Sequence, residues 1–359
     1  DFVLIGEYHN STRISEFTDA ILPLLDKYGF KNMIAEIGRS TGKILNELQG
    51  EVKSDLNEIN NRYILRGENG AIGLPIPFFN YIEDAQFLQT LKNQNWRIFG
   101  IDQEFFFGFP MLIDAIYDNL NENKREELSE LYYSVKDSMA FYFQLQLDGT
   151  RDISVSLKKS DIFNEYLRRA NINEKNSELI KDFKNSIEIY YLNAKRQWFE
   201  NNQLRFSYMR SMLREQLIHN EIDLAKEKIL FKMGAYHLGK GISPLGFFEI
   251  GNMVYELAKF HDRRPLHITF ATRYYWDDGE IKDELDLDIP AVQRLSELTQ
   301  YGLKDEWVII DLRPIIKGYY FWPRIFHFNE YVIDLVKTYD LLIIPKTEID
   351  PTPNYSKYK

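Results

Sequence analysis

The sequence predicts an α/β fold of three layers: a mainly parallel central sheet flanked by helices and carrying a large helical insertion. Three observations lead there. Short apolar runs recur along the chain, amphipathic stretches with three- and four-residue apolar spacing separate them, and over residues 109–226 helix formers displace strand-like alternation almost entirely. With 359 residues, 44% of them hydrophobic, the chain is long and apolar enough for a sizeable core, and residues 1–359 are expected to form one α/β domain around the insertion.

Taken in order, the strand candidates are residues 2–6, 33–37, 97–101, 229–234, 266–271, 307–312 and 341–345, each a short run of the kind that fills a buried strand. Residues 14–28, 85–93, 247–260 and 331–339 carry the helical spacing between them. The insertion at 109–226 leaves just after Asp102-Gln103 and returns just before the run at 229–234, so it is expected to act as a lid over the carboxyl end of the sheet. Its aromatic stretches, Tyr132-Tyr133, Phe141-Tyr142-Phe143 and Tyr190-Tyr191, are expected to pack the insertion rather than to hold a cofactor.

A formal net charge of -10 argues against a nucleic-acid surface, which needs clustered Lys and Arg, and points to a small-molecule partner. The basic pairs Lys158-Lys159, Arg168-Arg169 and Arg263-Arg264 are isolated and read as solvated faces. With no cysteine there is no thiolate nucleophile and no Cys-ligated zinc. No run is long enough to cross a bilayer as an apolar helix. Asp1 stands directly before the first strand, which is compatible with a cytoplasmic protein or with an exported one whose signal or lipid anchor has been cut away. Composition leaves the oligomeric state open.

A short segment occurs twice. Gly6-Glu7-Tyr8-His9 and Gly234-Ala235-Tyr236-His237 each end an apolar run, so two strand ends carry histidines into the loops beyond the sheet, where open α/β sheets bind ligands. Glu7 and His9 lie two apart and project to one side, with Tyr8 to the other. Glu36 ends the second strand, where a carboxylate is costly unless paired, and Arg39 or a histidine can pair it. Asp102 and Gln103 form another polar strand end, and Arg205 is the first candidate among the arginines at 205, 210 and 214 to reach the pocket. Gly234, Gly239 and Lys240 imitate a phosphate loop, but Gly241 stands where a magnesium-binding Ser or Thr belongs. His219, His261, His267 and His327 have no comparable setting and read as structural.

These residues, in this order, resemble the erythromycin esterase-like superfamily, broadly including the ChaN-like and Tiki/TraB proteins. Leu4-Ile5-Gly6-Glu7-Tyr8-His9, then Gly29-Phe30 and Ala35-Glu36, resemble its opening strand, helix, strand and acidic residue. Phe99-Gly100-Ile101-Asp102-Gln103 is similar to the esterases' Gly-x-Asp strand end, residues 205–209 to their Arg-and-Met helix, residues 233–241 to their second histidine strand, and residues 339–344 to their final strand. Two departures stand out. One residue separates Glu7 from His9, as in ChaN-like proteins, where the esterases have two, and Gly234-Ala235-Tyr236-His237 is closer to the Tiki/TraB form.

The leading reading is a hydrolase of an ester or lactone, in which His9 takes a proton from the attacking water, Glu7 and Glu36 orient and polarise His9, and His237 with Arg39 or Arg205 stabilises the oxyanion. The resemblance implies a route that needs no cofactor. A Tiki/TraB-like alternative uses Glu36, His9 and His237 to hold a divalent metal, and a ChaN-like alternative is haem or small-ligand binding. Arg39, Asp102, Gln103 and Arg205 are the expected substrate-binding residues.

Overall fold

A computed structural model describes all residues except 49, 288, 290–292, 323–327 and 357–359. His327 therefore lies outside the described residues. The central sheet has seven strands: β1 (Phe2–Glu7), β2 (Asn32–Gly38), β3 (Arg97–Asp102), β4 (Ile229–Gly234), β5 (Pro265–Phe270), β6 (Val308–Asp311) and β7 (Leu341–Ile344). Their order across the sheet is β6-β7-β5-β1-β4-β2-β3. β1 pairs in parallel with β4 and β5, β2 with β4 and β7 with β5, while β6 closes one edge antiparallel to β7. Helices flank the sheet, and the architecture is the three-layer α/β fold expected from the alternating pattern.

β1 and β4 are buried along their whole length, which is why each reads as a continuous apolar run instead of an alternating one. The helix Thr12–Lys27 follows β1 after a four-residue turn; Ser11 caps it by accepting from the Ile14 amide at 3.1 Å. Asn10, in the left-handed region at φ 63°, and Ser11 thus form the turn and the cap.

The chain divides into two compact units. One comprises Asp1–Glu36, Tyr81–Arg97 and Leu217–Pro353; it holds β1, β4, β5, β6 and β7. Its C-terminal part is packed by Leu298, Leu312, Val332, Val336, Tyr339, Leu342 and Ile344. The other comprises Ile37–Asn80, Ile98–Gln216 and the tail from Asn354. From residue 109 to residue 216 it is helical, with a core of Phe109, Ile113, Phe143, Tyr166 and Phe183. Among the aromatic stretches Tyr132 stacks on Tyr117 at 4.0 Å and Tyr190 packs edge-on against Phe106, whereas Tyr133 and Phe141 are exposed. Among the described residues no helix is long and apolar enough to cross a membrane.

Candidate functional site

Parallel register places the first charged pair. Ile5 pairs with Lys232 and Glu7 with Gly234, so Lys232 lies on Glu7's face of the sheet, diagonal to it, and its ammonium bonds the Glu7 carboxylate. Both side chains are buried. Asp84, from the helix Ile82–Asn93, lies within their electrostatic reach and accepts from the Ser15 hydroxyl at 2.6 Å. Lys232 also packs over the Phe87 ring, 5.2 Å from its centre.

Beyond the strand, Glu7 meets His9. Glu7 Oε1 stands 3.4 Å from His9 Nδ1, and the His9 side chain is 41% exposed while that of Glu7 is buried. The other edge of the ring faces β4. A Cβ built on Gly234 would lie 3.2 Å from His9 Nε2 and 3.1 Å from Glu36 Oε2, so the absence of a side chain at 234 lets these two groups approach one point. The Gly234 amide itself donates to Glu36 Oε2 at 2.6 Å.

His237 completes the group. Its Nε2 is 3.2 Å from Glu36 Oε1 and its Nδ1 is 3.0 Å from Glu249 Oε2, with the ring and both carboxylates buried. Two nitrogens facing two carboxylates can both donate only in the imidazolium form. Glu249 is held in turn by the Ser243 hydroxyl at 3.1 Å. The costly carboxylate at the end of β2 is therefore paired by a histidine and a backbone amide, while the Arg39 side chain bonds Asp182, Glu178 and Glu215.

Electrostatics distinguish the members. Burial pushes the Glu7 carboxyl up, but the Lys232 charge and the His9 hydrogen bond outweigh it and hold the group below the usual glutamate value. For His9, burial pushes the imidazole down, yet the Glu7 hydrogen bond and the charges of Glu36 and Glu7 prevail and leave it above the ordinary histidine value. Burial raises Asp84 to about 7 despite Lys232 and Ser15. Tyr8, between Glu7 and His9, points elsewhere: its hydroxyl donates to Glu348 at 2.6 Å, and burial keeps it a neutral phenol.

The structure thus brings Glu7, His9, Glu36 and His237 into one connected group within the first unit. The remaining expected residues form separate groups in the second. Arg39 Nε and NH2 donate to Asp182 at 2.8 and 2.9 Å. Arg205 Nε donates to Asp102 at 3.0 Å and to Gln103 at 2.9 Å. Gly100, which precedes Asp102 by two, is required because a Cβ there would overlap the Gly38 carbonyl. Lys240, the lysine of the phosphate-loop imitation, is ion-paired with Asp340 at 2.7 Å. His267 is a buried core histidine bonded to the Leu238 carbonyl at 2.7 Å, pushed down to about 4 by burial.

Sequence reasoning missed Lys232, Glu249 and Asp84. Lys232 left a signal, a lone charge inside the apolar run of β4. Glu249 and Asp84 left none, since a carboxylate at a helix start is ordinary capping chemistry. Among the described residues no three His, Asp or Glu side chains are arranged to hold a metal ion. The donor set explains this: both His237 nitrogens face carboxylates, and Glu7 is shared by Lys232 and His9.

No protein-family model matches the chain, and no curated protein matches its sequence. Solved structures do match its fold. A Bacillus cereus protein aligns at TM-score 0.51 with 15% identity, over 99% of this chain and 90% of its own. A succinoglycan biosynthesis protein aligns at 0.53 with 14% identity, over 98% and 88%. A histidine-to-asparagine mutant of the erythromycin esterase EreC, in its open conformation, aligns at 0.50 with 14% identity, over 99% and 91%. The chain shares its fold with an erythromycin esterase. At these identities the likeness is one of fold, and activity rests on the site.

Proposed function

We propose that the protein is a hydrolase of an ester or lactone that activates water directly with His9. The observation that carries this reading is the approach of His9 Nε2 and Glu36 Oε2 to one point at Gly234, with Glu7 behind the His9 Nδ1 edge. Glu7 holds the Nδ1 proton and so leaves Nε2 to take a proton from water, the arrangement by which a carboxylate fixes a histidine base. A base stronger than ordinary histidine, and exposed to solvent, suits that step. Both nitrogens of His237 face carboxylates, so it holds Glu36 in place beside His9 and does not itself donate to the carbonyl oxygen. No serine or cysteine nucleophile enters, and the likeness in fold to an erythromycin esterase agrees with ester chemistry.

The test is a panel of esters and lactones assayed with and without a chelator, alongside metal analysis and an absorption spectrum of the untreated protein. Hydrolysis that survives chelation and is lost in His9→Asn is the expected result. Activity that follows a bound metal transfers the same residues to the metal-dependent reading, and a Soret band transfers them to haem binding.

A further inference from the structure

Tyr8 also borders a second space. At the carboxyl ends of β1 and β5 a cavity of about 370 Å³ is lined by Tyr8, Phe270, Thr272, Glu284, Leu295 and Thr299, all from the first unit. Its size suits a small organic ligand, and the ends of parallel strands are where such ligands bind.

Most polar groups in its wall are already satisfied. Thr272 donates to the Tyr8 hydroxyl at 2.6 Å, and Tyr8 donates to Glu348. Glu348 is further held by the Ser11 hydroxyl at 2.7 Å and the Arg13 amide at 3.1 Å. Arg273, the cation that follows Thr272, is committed to Asp283 at 3.0 Å and to the Gln300 and Gly302 carbonyls. Glu284 is different. Among the described residues no group bonds its carboxylate, and burial together with the Asp283 charge pushes it up to about 7. An unpaired carboxyl against the apolar walls of Phe270 and Leu295 asks for a ligand with the complementary pair of features, a cation on an apolar body.

We propose that this cavity binds a small organic amine, its ammonium against Glu284 and its apolar body between Phe270 and Leu295. The ion pair removes the cost of leaving a half-buried carboxylate alone, and among the described residues no cation pairs with it. The site stands on these residues and not on the hydrolase reading, although Tyr8 ties it to the loop that bears His9.

Ligand-observed NMR on the whole protein tests it with two probes of one shape, 2-phenylethylamine and 2-phenylethanol, at neutral pH. The amine is expected to bind about tenfold tighter, the margin of a charge-assisted over a neutral hydrogen bond. Glu284→Gln should erase that preference while leaving the fold intact, because among the described residues the Glu284 carboxylate bonds nothing that Gln would release. Ala271→Phe, filling the cavity from another wall residue, should weaken both probes. Equal affinities in the parent protein, a preference that survives Glu284→Gln, or binding unchanged by Ala271→Phe overturns the proposal. Loss of amine binding in His9→Asn also overturns it, because the amine would then occupy the histidine cluster. An ester panel with no turnover leaves every one of these outcomes readable.

Discussion

His9 and His237 follow neighbouring parallel strands with nearly the same local sequence, yet their surroundings are opposite. The His9 side chain is 41% exposed, with one carboxylate at Nδ1, and its Nε2 is presented at the bare Cα of Gly234. His237 is buried with a carboxylate at each nitrogen. The difference arises one step beyond the motif: β1 runs into a turn before the helix Thr12–Lys27, whereas β4 passes straight into the short helix Ala235–Leu238, which turns the imidazole inward. Equal residue types at equal strand ends therefore take unequal tasks, an accessible base and a fixed electrostatic support.

The largest expected effect separates those tasks. His9→Ala should lower turnover on an identified ester by roughly 100- to 10,000-fold, the usual worth of a general base, with the urea midpoint nearly unchanged. His237→Ala should also destabilise the fold, by about 3–5 kcal/mol, because it strands two buried carboxylates. Equal stability losses in the two variants, measured by urea titration, would break the contrast.

The next effect lies behind His9. Lys232→Met leaves the buried Glu7 without its cation and is expected to cost about 3–5 kcal/mol, whereas Lys232→Met with Glu7→Gln should recover much of that loss, since a neutral pair has no stranded charge. Additive losses in the double-mutant cycle would show that the two groups act independently.

A smaller effect reads the charges through pH. His9 must be neutral to accept a proton, and its pKa is raised, so the acid limb of kcat/KM should fall on the alkaline side of an ordinary histidine. Glu7→Gln removes two of the causes of that rise and should move the limb to lower pH. The same residue carries a stability signature: a carboxyl held below its unfolded value stabilises the fold above that value, and the contribution is lost as pH falls through the folded pKa. Glu7→Gln should accordingly flatten the acid side of the stability curve.

Gly234→Ala is the mildest change. Its Cβ would stand 3.1 Å from Glu36 Oε2 and 3.2 Å from His9 Nε2, so both must give by a few tenths of an ångström. A loss in kcat of less than about tenfold, or about 1.4 kcal/mol, is expected with the fold unchanged. No loss at all would mean that the approach of His9 and Glu36 is not used.

How much of this was legible differs by residue. The pairing of Glu7 with His9 follows from a spacing of two along an extended chain, and the strands themselves follow from apolar runs, because both are local properties. Arg39 shows the limit. Three residues from Glu36, it was an equal candidate for that carboxylate, yet it is spent on Asp182, which lies 143 positions away. Lys232 was visible as a charge in an apolar run but had no assignable partner until β1 and β4 were known to be neighbours.

By itself the sequence determined the seven strands of the central sheet, the alternation that makes it mainly parallel, and the delivery of histidines and carboxylates to strand ends. Tertiary structure decided which of those ends meet. Glu36 reaches the amide of Gly234 across 198 positions, and Glu7 reaches Lys232 across 225, because crossover connections set β1 and β2 on either side of β4. Local periodicity carries no record of strand order, since any crossover with the same buried runs satisfies the same pattern. Burial and charge at a shared sheet end then turned similar motifs into different chemical groups.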